Sequence, residues 1–181
     1  NLLVSPVVKT AVPMLATVHK ALQQKNVPDQ IRAISQTPRS MALNYLFAGK
    51  DGEIIDIEST PDKCGMLLPD RDILTHANHF TKSYLEPEDL ADQTAFPDTF
   101  LRQYRLKELM EAKRGELSVE VMMELLQDHR GYPDSICRHC DTGSPRFEWF
   151  ETLASLIAVP GDGRMYATAN PCLNPYKLYT L

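Results

Sequence analysis

Apolar residues recur at helical spacing over residues 14–24, where Leu15, Val18 and Leu22 share one face and Pro13 occupies a good starting position. A second short helix is expected after Pro28, with Asp29 in its first turn and Ile31 and Ile34 on one side. The pattern then changes to alternation. Residues 42–48 and 53–59 predict a hairpin around Gly49-Lys50-Asp51-Gly52, with Ile55 and Ile57 alternating with Asp56 and Glu58. Residues 72–76 predict another short strand, and residues 80–98, rich in acids and carrying Pro87 and Pro97, a long loop. Residues 98–113 return to helical spacing, with Leu106, Leu109 and Met110 on one face and Gly115 as the stop. Ser118 is the expected N-cap of a helix running to about His129. Residues 152–159 and 164–169 predict a second hairpin, turned by Pro160-Gly161-Asp162-Gly163. Hairpins imply antiparallel pairing, so the fold class expected is α+β, in a single domain.

Composition narrows the function more than the fold. A net charge of −5 lacks the basic face that a general nucleic-acid surface needs, so no nucleic acid is expected as a partner. No apolar run approaches the roughly 20 residues that span a bilayer, so no membrane is expected either. Four cysteines at irregular spacing do not form a disulfide framework, which favours a reducing, cytoplasmic setting for a soluble protein.

Two polar clusters carry the candidate chemistry. One runs Asp128-His129-Arg130-Gly131-Tyr132-Pro133-Asp134-Ser135-Ile136-Cys137-Arg138 and ends at His139. Arg138 offers a permanent charge and a planar fork of donors, suited to a carboxylate or oxyanion of a site, or to a partly buried structural ion pair. If the segment is extended, Ser135 and Cys137 point to the same face; Ser135 then bonds near a site, while Cys137 reads as a small buried residue. The other cluster is Thr75-His76-Ala77-Asn78-His79, following Ile73-Leu74. Asn78 has a side-chain N–H that can hold an oxyanion, or it is a turn-former bonded to its own backbone. His76 and His79 read as hydrogen-bonded structural residues. Cys137-x-x-Cys140 with His129 and His139 has ligand types and one spacing that zinc uses, but no second pair completes it, so neither a metal nor a cofactor is expected. Phe147-Glu148-Trp149-Phe150 could wall an apolar acyl pocket or belong to a core, and Glu86-Pro87-Glu88-Asp89 is a solvated loop face.

Taken together, the two clusters resemble the isopenicillin N acyltransferase-like (acyl-coenzyme A:6-aminopenicillanic acid acyltransferase-like) proteins, a family of N-terminal nucleophile hydrolases. The resemblance extends to Ala42-Leu43-Asn44-Tyr45-Leu46-Phe47 with Lys50-Asp51-Gly52-Glu53 and Asp56-Ile57-Glu58, and to Ala11-Val12-Pro13, which stands where the family commonly has Gly-Val-Pro. It implies part of a four-layer αββα sandwich. It also implies acyl transfer or amide hydrolysis through an acyl-enzyme on an N-terminal cysteine freed by self-cleavage, with that cysteine's own α-amine as base. The asparagine matching Asn78 then belongs to the oxyanion hole, and Arg138 and Ser135 to the site. The chain opens Asn1-Leu2-Leu3-Val4, and its cysteines stand at 64, 137, 140 and 172. The segment is therefore expected to be the C-terminal portion of a longer protein. The implied partners are the remaining N-terminal half, which carries the nucleophile, and a small-molecule amide or acyl substrate; homo-oligomerisation is left open. A catalytically silent binding or assembly subunit of the same fold is the alternative.

Overall fold

A computed structural model describes residues 8–82, 85, 97–146 and 149–180. The chain divides into two compact units, Asn1–Phe100 and Leu101–Leu181. The expected 80–98 loop, with its acidic run, lies largely outside the described residues, as do Phe147 and Glu148. Among the described residues no helix is long and apolar enough to cross a membrane. Helices and two antiparallel sheets make the fold α+β.

The first unit opens with α1 (Met14–Leu22) and α2 (Val27–Ser35). The Asn26 side chain caps α2 by accepting from the Asp29 N–H at 2.9 Å, and Pro28 sits in the first turn, where its missing N–H costs nothing. A three-stranded sheet follows in the order β1 (Leu43–Ala48), β2 (Ile54–Ser59) and β3 (Cys64–Leu67), antiparallel throughout. The β1–β2 register pairs Tyr45 with Ile57 and Asn44 with Glu58. One face of this sheet packs Leu43, Tyr45 and Ile57 against Ala21, Ala33 and Ile34 of the two helices. Burying a side chain such as Ile57 contributes about 1.5–3 kcal/mol.

Two expectations are corrected here. The face of α1 that packs is Thr17, Val18 and Ala21, while Leu15 and Leu22 are 72% and 67% exposed. Small side chains let the helix approach the sheet closely, which bulky leucines would prevent. Residues 72–76 form no strand. Asp70 and Ile73 exchange both backbone hydrogen bonds around Arg71 and Asp72, whose positive φ values of 46° and 65° make a tight two-residue turn. The third strand is instead Cys64–Leu67, which lacks the β-branched residues that mark strands in sequence.

Arg39 is buried and ties the unit together. Its guanidinium donates to the carbonyls of Ile34, Ser35 and Thr37 at 3.0–3.1 Å and to that of Thr60 at 2.9 Å. A cation at the end of α2 satisfies the carbonyls that the helix leaves open.

In the second unit, α3 (Pro97–Ala112) begins before the division and runs across it, and Gly115 follows at φ 81°. Helix α4 (Val119–Leu125) is capped by Ser118, whose hydroxyl accepts from the Val121 N–H at 3.2 Å. It stops at Leu125, short of the expected His129, and the chain continues in turns held by Tyr132 N–H to His129 O and Asp134 N–H to Gly131 O. The second sheet orders β4 (Ala154–Val159), β5 (Arg164–Ala169) and β6 (Lys177–Thr180), again antiparallel. A short 3₁₀ turn, Pro160–Asp162, joins β4 to β5, with Gly163 at φ 61°.

Candidate active site

The polar face of the first sheet is the least expected feature of the molecule. Alternation along β2 would ordinarily turn Asp56 and Glu58 to water. Both are buried instead. Asn44, opposite Glu58 on β1, donates to both Asp56 oxygens at 2.6 Å. Glu58 accepts from His76 Nε2 at 2.8 Å, from the N–H and hydroxyl of Thr81 at 2.5 and 2.7 Å, and from the Lys82 N–H at 2.9 Å. His76 Nδ1 lies 3.0 Å from the Ala77 carbonyl, so both ring nitrogens face acceptors. Burial by itself would raise the Glu58 pKa. The hydrogen bonds from His76, Thr81 and Lys82 outweigh it and hold this carboxyl below the ordinary carboxylate range. Burial dominates at Asp56, whose pKa rises despite the opposing influence of His76 and Asn44.

This network positions Asn78. Glu58 grips the chain on both sides of it, at His76 and at Thr81–Lys82. The Asn78 N–H itself donates to the Thr99 hydroxyl at 2.7 Å, and Thr99 is buried in the first turn of α3. His79 is hydrogen-bonded to the same hydroxyl at 3.1 Å, with its ring stacked 3.9 Å from that of Phe100. The half-buried Asn78 thus sits on a loop fixed at three points, and His76 and His79 are both hydrogen-bonded, as read from sequence. Asn44 also lines a cavity of about 320 Å³ with Val18, Ala21, Leu22, Tyr45 and Phe47, within the size range of small-molecule sites at roughly 300–1,000 Å³.

Ser135 and Arg138 belong to the second unit. Residues 131–137 are a run of turns rather than an extended segment, so the alternation argument for Ser135 and Cys137 fails. Both side chains are buried, but the Ser135 hydroxyl donates to the Cys137 carbonyl at 2.5 Å. Arg138 is ion-paired with Asp134 and lies 5.3 Å over the Phe150 ring. Its backbone is fixed by Thr152, which accepts the Arg138 N–H at 2.9 Å and donates its own N–H to the Arg138 carbonyl at 3.1 Å.

Three of the four cysteines are held away from the thiolate. Burial pushes Cys64 up, and burial with the neighbouring Cys172 pushes Cys137 up to about 11. Burial and the Glu151 carboxylate, 3.5 Å from its sulfur, do the same to Cys140. The Cys-x-x-Cys pair is therefore split. Cys140 faces Glu151, while Cys137 lies among His129, His139 and Cys172. Sequence reasoning passed over Asp56 and Glu58 as site residues and passed over Cys172. The only sequence signal for the acids was their place within the hairpin motif.

No curated protein matches this chain. The family model for acyl-coenzyme A:6-aminopenicillanic acid acyl-transferase matches residues 15–171, a span that contains both sheets' first strands, the Asn78 loop and the turns that carry Arg138. The chain therefore belongs to the acyl-coenzyme A:6-aminopenicillanic acid acyl-transferase family, whose membership suggests acyltransferase activity.

Proposed function

We propose that this chain is the C-terminal portion of an acyltransferase or amidohydrolase that works on amide or thioester bonds through an acyl-enzyme. The carrying observation is the Asn78 loop, clamped by Glu58 and Thr99 within the span that matches the family. A donor carried on a loop whose backbone is fixed in this way suits an oxyanion, because the loop needs little reorganisation when charge develops. The nucleophile is a cysteine at the mature N-terminus of the chain's upstream partner half. The upward shift of the Cys64, Cys137 and Cys140 thiols, caused first by burial, supports that location over any of these three, since the thiolate is the attacking species.

The upstream thiolate attacks the substrate carbonyl carbon, after its own α-amine has accepted the thiol proton. The carbonyl oxygen becomes the oxyanion and receives the Asn78 side-chain N–H. Collapse of the intermediate expels the amine or thiol, protonated by the same α-amine, and leaves a thioester on the enzyme. Water or an amine then takes the acyl group by the reverse sequence. Arg138, with its loop fixed by Thr152, orients the surroundings of the nucleophile, and Ser135 supports that loop through its bond to Cys137.

The test is intact-mass spectrometry of the full-length protein, quenched in acid during turnover of an acyl-coenzyme A or an amide. The expected product is one acyl adduct, mapped to an N-terminal cysteine upstream of Asn1. Steady turnover with no adduct, or an adduct on Cys64, Cys137, Cys140 or Cys172, contradicts the mechanism.

A further inference from the structure

We propose that His129, Cys137, His139 and Cys172 form a structural zinc site in the second unit. Their ligand atoms all lie within 4.8 Å of one another. His129 Nε2 is 2.8 Å from His139 Nε2, and His139 Nε2 is 3.9 Å from the Cys137 sulfur and 3.6 Å from that of Cys172. Zinc bonds of about 2.1 Å to nitrogen and 2.3 Å to sulfur set tetrahedral ligand atoms roughly 3.4–3.8 Å apart. The cluster needs only small side-chain adjustments to meet that geometry, the two imidazoles moving apart and the more distant ligand atoms closing in. Two thiolates would balance the charge of the ion, and two imidazoles with two thiolates are a set that selects zinc over calcium or magnesium. Four protein ligands close the site, which marks it as structural.

The segments bearing these ligands are already tied together. The Cys137 N–H donates to the Asp128 carbonyl at 3.1 Å, and the His139 N–H to the Pro133 carbonyl at 3.0 Å. Gln127 reaches the Pro171 carbonyl at 2.9 Å, next to Cys172. Arg105 grips Asp128 with two bonds, at 2.8 and 3.2 Å, beside His129. Binding would therefore require little ordering. His129 is exposed, which gives the ion an entrance, while Cys137 is buried. The second unit also has reason to use a staple. Among its described residues only Leu125, Cys137 and Pro171 are buried apolar side chains, and small cores commonly need a disulfide or metal. The expectation of no metal rested on the missing partner for Cys137-x-x-Cys140; the fold supplies Cys172, 33 positions beyond His139, in place of Cys140.

Purified full-length protein, stripped with a chelator under reducing conditions, is titrated with Zn(II) and separately with Co(II). The expected result is one metal per chain, with the visible bands of tetrahedral thiolate-bound Co(II). Cys172→Ser and His129→Ala should each weaken binding at least about tenfold, as loss of a ligand requires. Cys140→Ser should leave binding unchanged. If a ligand variant fails to fold, the stoichiometry and Co(II) spectrum of the unmodified protein decide. Absence of stoichiometric metal binding by the reduced protein, a Cys137–Cys172 disulfide as the form purified, or loss of binding in Cys140→Ser alone overturns the proposal. None of these readouts depends on acyl transfer.

Discussion

The two sheets of this chain are both three-stranded antiparallel meanders, yet they are stabilised by different means. In the first, β2 is shielded on both faces, by the helices on one side and by the His76–Lys82 loop on the other. In the second, β4 alternates between exposed and half-exposed positions, with Leu156 at 61% exposure, and β6 is exposed throughout. Identical strand order therefore does not imply an equivalent core. The first unit can hold ionised groups away from water because Arg39 and Glu58 each make four or more hydrogen bonds there. The second unit gathers its buried groups around Ser135, Cys137 and Pro171, where sulfur and imidazole replace aliphatic packing.

The largest expected effect is at Glu58. Glu58→Gln leaves His76 without its carboxylate and turns an amide toward a donor, at a cost of about 3–5 kcal/mol, the range for breaking a buried pair. The pH dependence has a definite sign. A depressed folded pKa gives stability that is present above the ordinary carboxylate range and lost as pH falls through the folded value. The raised Asp56 pKa acts oppositely, penalising the folded state above its own folded value and releasing that penalty as pH falls. Urea denaturation from neutral to acid pH should therefore show an acid loss that largely disappears in Glu58→Gln. An unchanged acid limb in that variant would remove Glu58 as its origin.

Next in size is the paired substitution Ile57→Ala on β2 and Leu156→Ala on β4. The first should cost about 2–5 kcal/mol, as truncation of a buried aliphatic does. The second should stay within about 0.5 kcal/mol, as exposed positions do. Denaturation of both variants measures the contrast directly. Equal costs would mean that the second sheet is covered in solution and that the difference between the units is smaller than described.

Much of this fold was legible because its signals are local. Pro28 with Asp29 and Ser118 mark helix starts through features of a single turn, and Gly52 and Gly163 adopt the positive φ that their hairpins need. What was missed depends on distant partners. Nothing near Glu58 announces that His76 and Thr81 will bury it, and nothing near Cys137 announces Cys172. The pair Ile73-Leu74 looks like a strand because apolarity is local, whereas the turn that precludes pairing rests on Arg71 and Asp72 adopting a left-handed backbone, which is uncommon outside glycine and least expected at Arg71. Asn78 was singled out from its motif, but the clamp that holds it became visible only in three dimensions.

The kinetics of Asn78→Ala in the complete protein decide whether this clamped loop supplies the oxyanion donor. The variant should lose about 10²-fold or more in kcat, with a smaller change in KM, because the bond strengthens only as charge develops. A folded Asn78→Ala enzyme with near-normal kcat would contradict it.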